Sequence, residues 1–208
     1  LTGLLAAIVQ RERTGRGQFV DAAMFDGSLS LATMIFAGVS AGLEQPEPGK
    51  MLLNGRFPCY RLYRTNDGAY MSLGALEFKF WKNFCETVGR EDLVGGQFGG
   101  PEVVSEVEQI FASRTIAEWV DLMTTADACC EPVVSLHQAV ESPLAQARKM
   151  VNLGPDGTRH LASPLKMSGS PPHEDLPAPL LGQHTKEILG QLGLQSEHFE
   201  ALATQGVI

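Results

Sequence analysis

Residues 56–80, RFPCYRLYRTNDGAYMSLGALEFKF, constrain the fold of this chain more tightly than any other stretch. They read as strand, tight turn, strand and then the start of a helix. Asn66-Asp67-Gly68 supplies the turn, because Asp-Gly tolerates the positive φ angles that a short hairpin needs. Before it, Tyr60, Leu62 and Arg64 alternate with Arg61 and Tyr63. After it, Tyr70 and Ser72 alternate with Met71 and Leu73, the period of a half-buried strand. Gly74 ends the second strand with no side chain, so another backbone or a ligand can come close. Glu77 is expected in the first turn of the following helix, where the helix dipole favours a charged carboxylate. Two readings of Glu77 stand side by side: a carboxylate with a chemical role, and a glutamate that only stabilises a helix start.

Length and composition bound what surrounds this stretch. A chain of 208 residues can bury a substantial core, as one large domain or two small ones. With 44% hydrophobic and 19% charged residues it has the composition of a folded protein. The net charge of −8 argues against general nucleic-acid binding and offers no attraction to anionic lipid. The longest apolar run, 29–43, is too short and too rich in Gly and Ser for a membrane span, and no signal peptide is visible. Cys59, Cys85, Cys129 and Cys130 form no CxxC pair, and the five histidines, at 137, 160, 173, 184 and 198, are scattered singly. No metal site is therefore expected, and the cysteines read as buried thiols of a cytoplasmic protein.

The opening, LTGLLAAIVQRER, has neither an initiator Met nor a helix cap, yet Leu4, Leu5, Ile8 and Val9 already show helical spacing. A helix that begins in this way predicts that the natural protein extends further toward its N-terminus.

Along the chain, residues 1–13 predict an amphipathic helix stopped by Thr14-Gly15-Arg16-Gly17. Residues 18–22 read as a short strand carrying Asp21, and 24–43 as a long, largely buried helix in which Gly38 and Gly42 allow close packing. Residues 44–50, EQPEPGK, form a proline-broken linker. After Glu77, the spacing of Phe78, Trp81, Cys85 and Val88 predicts one helical face. Pro101 is placed to open a helix over 102–113, and Thr115–Glu118 and Ser135–Gln138 read as capping boxes. Residues 131–134 read as extended, and Ser142-Pro143 starts a helix to about Lys149. Two short strands, 150–153 and 161–167, are expected around Asp156-Gly157. Residues 168–181 are Pro-rich and read as extended over a surface, and 185–192 and 196–204 as terminal helices. The fold class is α/β, with helices outnumbering strands.

No Walker loop, GxGxxG, HExxH or GxSxG motif occurs. Asp21 and Asp26 can be read as paired carboxylates or as unrelated residues on a strand and a helix. Met24, Met34, Met51 and Met71 suit either a flexible wall against an acyl chain or plain core filling.

Residues 3–27, GLLAAIVQRERTGRGQFVDAAMFDG, resemble the corresponding stretch of the family III CoA-transferases, the CaiB/BaiF family. So do residues 180–194, LLGQHTKEILGQLGL, and the closing Gly206-Val207-Ile208. Three further stretches resemble the α-methylacyl-CoA racemase branch: FPCYRLYRTNDG (57–68), YMSLGALEFKF (70–80) and ADACCEPVV (126–134). The racemases usually carry Pro and Gln where Phe78 and Lys79 stand. The resemblance implies an interlocked homodimer built from a large Rossmann-type domain and a small α/β domain. By that analogy 54–146 is the small domain, 1–53 belongs to the linking helices and strand of the large one, and 147–208 returns to it. In the racemases a glutamate of the second stretch supports the catalytic histidine, and Glu77 falls on it. The main histidine and aspartate lie upstream of the part that aligns with Leu1. Gly74, Ala75, Met24 and Tyr60 are the candidate substrate-binding residues.

The implied activity is α-proton exchange on 2-methylacyl-CoA thioesters, with the CoA thioester as substrate and no covalently bound cofactor. The rival within the family is CoA transfer between carboxylic acids, for which Glu77 would be only a helix-start residue. A chain without the upstream groups would, by itself, be an inactive or scaffolding piece.

Overall fold

The Asp67-Gly68 turn joins strands β1 (Tyr60–Arg64) and β2 (Tyr70–Gly74), which pair antiparallel with Tyr60 opposite Gly74 and Arg64 opposite Tyr70. The computed structural model describes residues 1–43, 45–170 and 178–208. Only Gly68 in the turn takes a positive φ, at 82°. Its N–H donates to the Thr65 carbonyl at 3.0 Å, and the Thr65 N–H to that of Ala69 at 2.9 Å. Asp67 serves a different purpose. Its carboxylate accepts from the Thr65 hydroxyl at 2.5 Å and from the Ile116 N–H at 3.2 Å, tying the hairpin tip to the start of a later helix.

A third strand, β3 (Cys130–Pro132), pairs antiparallel with the other edge of β2, so the order is β1-β2-β3 and β2 is central. The alternation sends Tyr63, Met71, Leu73 and Cys130 inward. Three helices cover that face: α4 (Phe78–Thr87), α5 (Pro101–Phe111) and α6 (Ile116–Met123), with a 3₁₀ turn over Glu91–Gly96. Pro101 occupies the first turn of α5, where its missing N–H costs nothing. Thr115 and Glu118 form the expected capping box on α6. On α4 the buried stripe is Trp81, Phe84 and Cys85, whereas Phe78 is 57% exposed at the helix's first position. The 3.6-residue period holds, but Phe84 takes the core place that the spacing offered to Phe78.

Five rings fill the core. Phe111 stacks on Tyr63 at 4.6 Å and on Phe84 at 5.4 Å, and meets Trp119 at 4.7 Å. Trp81 stacks on Phe84 at 5.7 Å. The polar ends of the rings are satisfied, as burial requires. Trp119 Nε1 donates to the Phe111 carbonyl, Trp81 Nε1 to those of Leu93 and Val94, and the Tyr63 hydroxyl to that of Pro58.

The N-terminal region departs from expectation. Helix α1 (Thr2–Thr14) ends at Gly15, which is left-handed at φ 68°. Residues 18–22 form no strand; they are exposed and pair with no ladder. The single helix expected over 24–43 is two, α2 (Met24–Leu31) and α3 (Thr33–Ser40), broken at Ala32, and neither has a buried residue. Hydroxyls explain the break. Ser30 Oγ donates to the Gly27 carbonyl and Thr33 Oγ1 to the Ser30 carbonyl, competing with the helical ladder, and the Ala32 N–H turns back to Leu29. Glu44 of the 44–50 linker lies outside the described residues.

By backbone proximity the chain divides into two units, Leu1–Val133 and Val134–Ile208. The second contains α7 (Leu136–Glu141), α8 (Pro143–Ala147), the antiparallel pair β4 (Val151–Leu153) and β5 (Arg159–Leu161), and helices α9 (Thr185–Gln191) and α10 (Ser196–Thr204). Ser135–Gln138 forms its capping box, and Ser142 caps α8. The second strand starts earlier than expected, at Arg159. Thr158 donates from both N–H and hydroxyl to the Asp156 carboxylate, which closes the turn within two residues. Residues 171–177 of the Pro-rich stretch lie outside the described residues.

Replacing Phe111 with Ala removes the ring shared by three neighbours and is expected to cost about 3–5 kcal/mol in urea unfolding; a loss under about 1 kcal/mol would show that the stack is not the core. The bond from Thr65 chiefly, and those from backbone N–H groups, lower the Asp67 pKa. The carboxylate therefore stabilises the fold above the ordinary Asp range, and that contribution is lost as pH falls through the lowered folded value. Asp67→Asn is expected to flatten the acid limb of a stability-versus-pH curve; an unchanged limb would remove Asp67 as its source.

Candidate functional site

The segment leaving the central strand is held at each residue. The Gly74 N–H donates to the Cys129 carbonyl at 2.9 Å, and the Ala75 N–H to that of Cys59 at 2.8 Å. The carbonyls of Ala75 and Leu76 accept from Gln97 Nε2 at 3.1 and 2.8 Å. Glu77 comes next. It stands at the N-cap of α4, one residue before the first turn in which it was expected, with φ −75° and ψ 133°. Its carbonyl accepts from the Phe80 N–H at 3.0 Å and that of Trp81 at 3.3 Å. Its side chain does not cap the helix, and among the described residues its carboxylate takes no hydrogen bond or ion pair. The carboxylate is exposed on a tightly held backbone.

A groove of about 460 Å³ on the outer face of the sheet is lined by Tyr60, Leu62, Ser72, Gly74 and Cys129 together with residues 53–55, and Glu77 acts electrostatically on its Cys129 wall. Gly74 has no positive φ, and a Cβ there would come no closer than 3.7 Å to the Cys129 carbonyl and 3.9 Å to the Tyr60 ring. Local sterics therefore do not demand glycine, and its missing side chain leaves the groove floor open. The turn over 127–129 is fastened to α4: Lys79 pairs with the Asp127 carboxylate at 3.2 Å, and Asn83 donates to the Asp127 carbonyl at 3.0 Å. Asp127 and Cys129 both take positive φ, at 47° and 48°.

Tyr60 and Gly74 thus meet at one groove. Ala75 does not line it; strand alternation turns its side chain inward, where it is fully buried. Met24 is 89% exposed on α2 and lines none of the cavities described. The four methionines do not make one wall. Met71 faces inward from β2 and is core, whereas Met34 and Met51 line a separate apolar cavity of about 250 Å³ with Ile35, Leu43 and Leu53. No hydrogen bond or ion pair joins Asp21 to Asp26 among the described residues.

Histidines at 160, 184 and 198 make local bonds, to Thr158, Glu187 and the Gln195 N–H, and His173 lies outside the described residues. No group of three His, Cys, Asp or Glu side chains gathers as a metal site among the described residues, and no described helix is long and apolar enough to cross a membrane.

Two residues here escaped the sequence reading. Cys129 is exposed, unlike Cys59, Cys85 and Cys130. Gln97 stands in GGQFGG, a run that reads only as a helix break; a long amide alone among glycines was the available signal.

A family model for CoA-transferase family III matches residues 1–185. The chain belongs to this family. Human α-methylacyl-CoA racemase is 28% identical over 211 residues, covering 99% of this chain and 55% of the relative. The succinyl-CoA:mesaconate CoA-transferase of Haloarcula marismortui is 30% identical over 207 residues, covering 93% of this chain and 51% of the relative. Among solved structures, Rv3272 of Mycobacterium tuberculosis matches at 25% identity and TM-score 0.69, covering 89% of this chain and 49% of that one. A CaiB/BaiF family protein from Brucella suis shares the fold at 19% identity and TM-score 0.70, covering 92% and 52%. The chain thus spans about half the length of the curated relatives it matches. The architecture is mixed α/β on the family III fold, as the sequence predicts.

Burial pushes the thiols of Cys59, Cys85 and Cys130 up to about 11, 12 and 12. Cys129 is also raised, by burial first and then by the negative charges of Glu77 and Asp127. In the native chain a thiol reagent is expected to label Cys129 alone, faster as pH rises. Glu77→Gln removes one of the charges that hold the thiol protonated and is expected to speed that labelling near pH 8. An unchanged rate would mean that Glu77 and Cys129 do not interact.

Proposed function

We propose that this chain is part of an acyl-CoA racemase that exchanges the α-proton of 2-methylacyl-CoA thioesters. The observation that carries the reading is Glu77. It is a carboxylate without a structural partner, on a fixed backbone three residues after Gly74 of the groove, and the resemblance would make it the glutamate that supports the racemases' histidine. Likeness to α-methylacyl-CoA racemases of human and mouse along 99% of the chain supports it.

The reaction breaks the C–H bond at the carbon next to the thioester carbonyl. The electron pair moves onto the thioester oxygen as an enolate, and a proton is then delivered to the opposite face of that carbon. This needs a base and an acid on opposite sides and donors for the enolate oxygen. On this reading the histidine and aspartate for these steps would lie outside this chain. Glu77 would accept a hydrogen bond from the histidine, orient its ring and favour its protonated form. Tyr60 and Gly74 would border the acyl group. The CoA thioester is substrate, and no metal or covalently bound cofactor takes part.

The apolar side chains of the first three helices and of the segment joining α1 to α2 fit an assembled protein. Phe19 is 91% and Phe36 68% exposed, and Met24, Phe25 and Leu31 join them. So much apolar surface is costly in water and marks a face that becomes covered. In the proposed assembly 1–53 and 147–208 join the large domain, 54–146 forms the small one, and two subunits interlock to cover these helices.

CoA transfer between carboxylic acids is the second reading, favoured by the 30% identity to a CoA-transferase. There a carboxylate outside this chain would be acylated and Glu77 would have no chemical role. In the protein that contains this chain, Glu77→Gln is expected to lower kcat roughly 100-fold, with KM for acyl-CoA nearly unchanged. Hydroxylamine is expected to trap no acyl-enzyme. An unchanged kcat together with a trapped acyl-enzyme would replace racemisation by transfer.

A further inference from the structure

We propose that Gln97 is a positioning residue that fixes the loop presenting Glu77, an inference that rests on the proposed role of that carboxylate. Gln97 is 8% exposed, one of two buried polar side chains among the described residues. A carboxamide has two N–H donors, and those of Gln97 reach two consecutive carbonyls, Ala75 at 3.1 Å and Leu76 at 2.8 Å. Because each peptide unit is planar, holding these oxygens sets the planes 75–76 and 76–77. The second plane includes the Cα of Glu77, so no backbone torsion separates the clamp from the residue that carries the carboxylate.

The clamp is itself held. Trp81, one turn into α4, donates its indole N–H to the carbonyls of Leu93 at 3.1 Å and Val94 at 3.0 Å, in the 3₁₀ turn that precedes Gln97. The helix that Glu77 opens therefore anchors the segment that fastens the loop before Glu77. On the other side of Gln97, a Cβ on Gly99 would lie 2.6 Å from a Val103 methyl and 3.0 Å from the Gly96 carbonyl. Glycine is required for this segment to lie so close to α5.

The two donors do for the loop what no side chain does for the Glu77 carboxylate: they spend hydrogen bonds on its backbone and leave the acid group free. A clamp of this kind preorganises a carboxylate without consuming it, which the supporting role demands.

The test uses Gln97→Met, which keeps the length and loses both donors, and Gln97→Glu, whose carboxyl donates a hydrogen bond only when protonated. By NMR amide exchange, Gln97→Met is expected to speed the Gly74 and Ala75 amides at least tenfold while Val107, in the core of α5, keeps its rate. Unchanged rates at Gly74 and Ala75, or equal acceleration at all three, would overturn the clamp. In the protein that contains this chain, Gln97→Met is expected to lower kcat at least tenfold with KM within twofold, but to cost less than twofold when Glu77→Gln is already present. An equal loss in both backgrounds would overturn action through Glu77. Gln97→Glu should recover part of the lost kcat as pH is lowered, relative to Gln97→Met; no recovery would count against hydrogen bonding as the cause. If Glu77→Gln alone leaves kcat unchanged, the racemase reading fails, and the exchange rates then decide the clamp by themselves.

Discussion

The stacking of Phe111 between the sheet and two helices is the interaction on which the N-terminal unit depends. Tyr63 presents the sheet's inner face to the ring, Phe84 brings α4, and Trp119 brings α6. Dispersion and apolar burial over these rings supply the cohesion, while each indole and the tyrosine hydroxyl finds a carbonyl acceptor. That face is committed to the core, while β2 is central because it pairs with β1 on one edge and β3 on the other, and its end leads on to α4. The emerging segment is residues 74–77. It leaves a strand anchored in the core and is then held by hydrogen bonds to Cys59, Cys129 and Gln97.

The same logic separates the buried from the available in the site. Ala75 faces inward because Gly74 faces outward, and the groove takes its floor from that alternation. Gln97, Cys59 and Cys129 consume the loop's backbone polar groups. What is left over is a carboxylate with no partner and a glycine whose empty side is not forced by sterics. The helices that open at Thr115 and Ser135 are capped by those side chains, whereas α4 opens on Glu77 with its carboxylate turned to solvent.

Local chemistry was the legible part of this fold. The Asp67-Gly68 turn, the two capping boxes, Pro101 and the stop at Gly15 each depend on a few neighbouring residues whose side chains or φ angles admit one arrangement. Periodicity found α4 but not which of two phenylalanines it buries, since Phe78 and Phe84 flank the stripe of Trp81 and Cys85 on opposite sides. The break at Ala32 was missed because the apolar pattern of 24–43 continues through it; only the hydroxyls of Ser30 and Thr33 mark it. The expected burial of that region and the expected strand at 18–22 rested on hydrophobicity alone, which cannot say what covers an apolar surface. Glu77 was legible as a candidate from its place after a strand-ending glycine. Gln97 was not, because its partners lie about twenty residues earlier and no periodic signal connects them.

We propose that the site served by Glu77 moves a proton at the carbon next to a thioester, and not CoA between acids. Incubating the protein that contains this chain with a 2-methylacyl-CoA in deuterated water, with no acceptor acid present, tests that claim most directly. Deuterium is expected at the α-carbon, together with loss of optical purity. A thioester recovered with its α-proton and configuration intact, and consumed only when an acceptor acid is added, would contradict it.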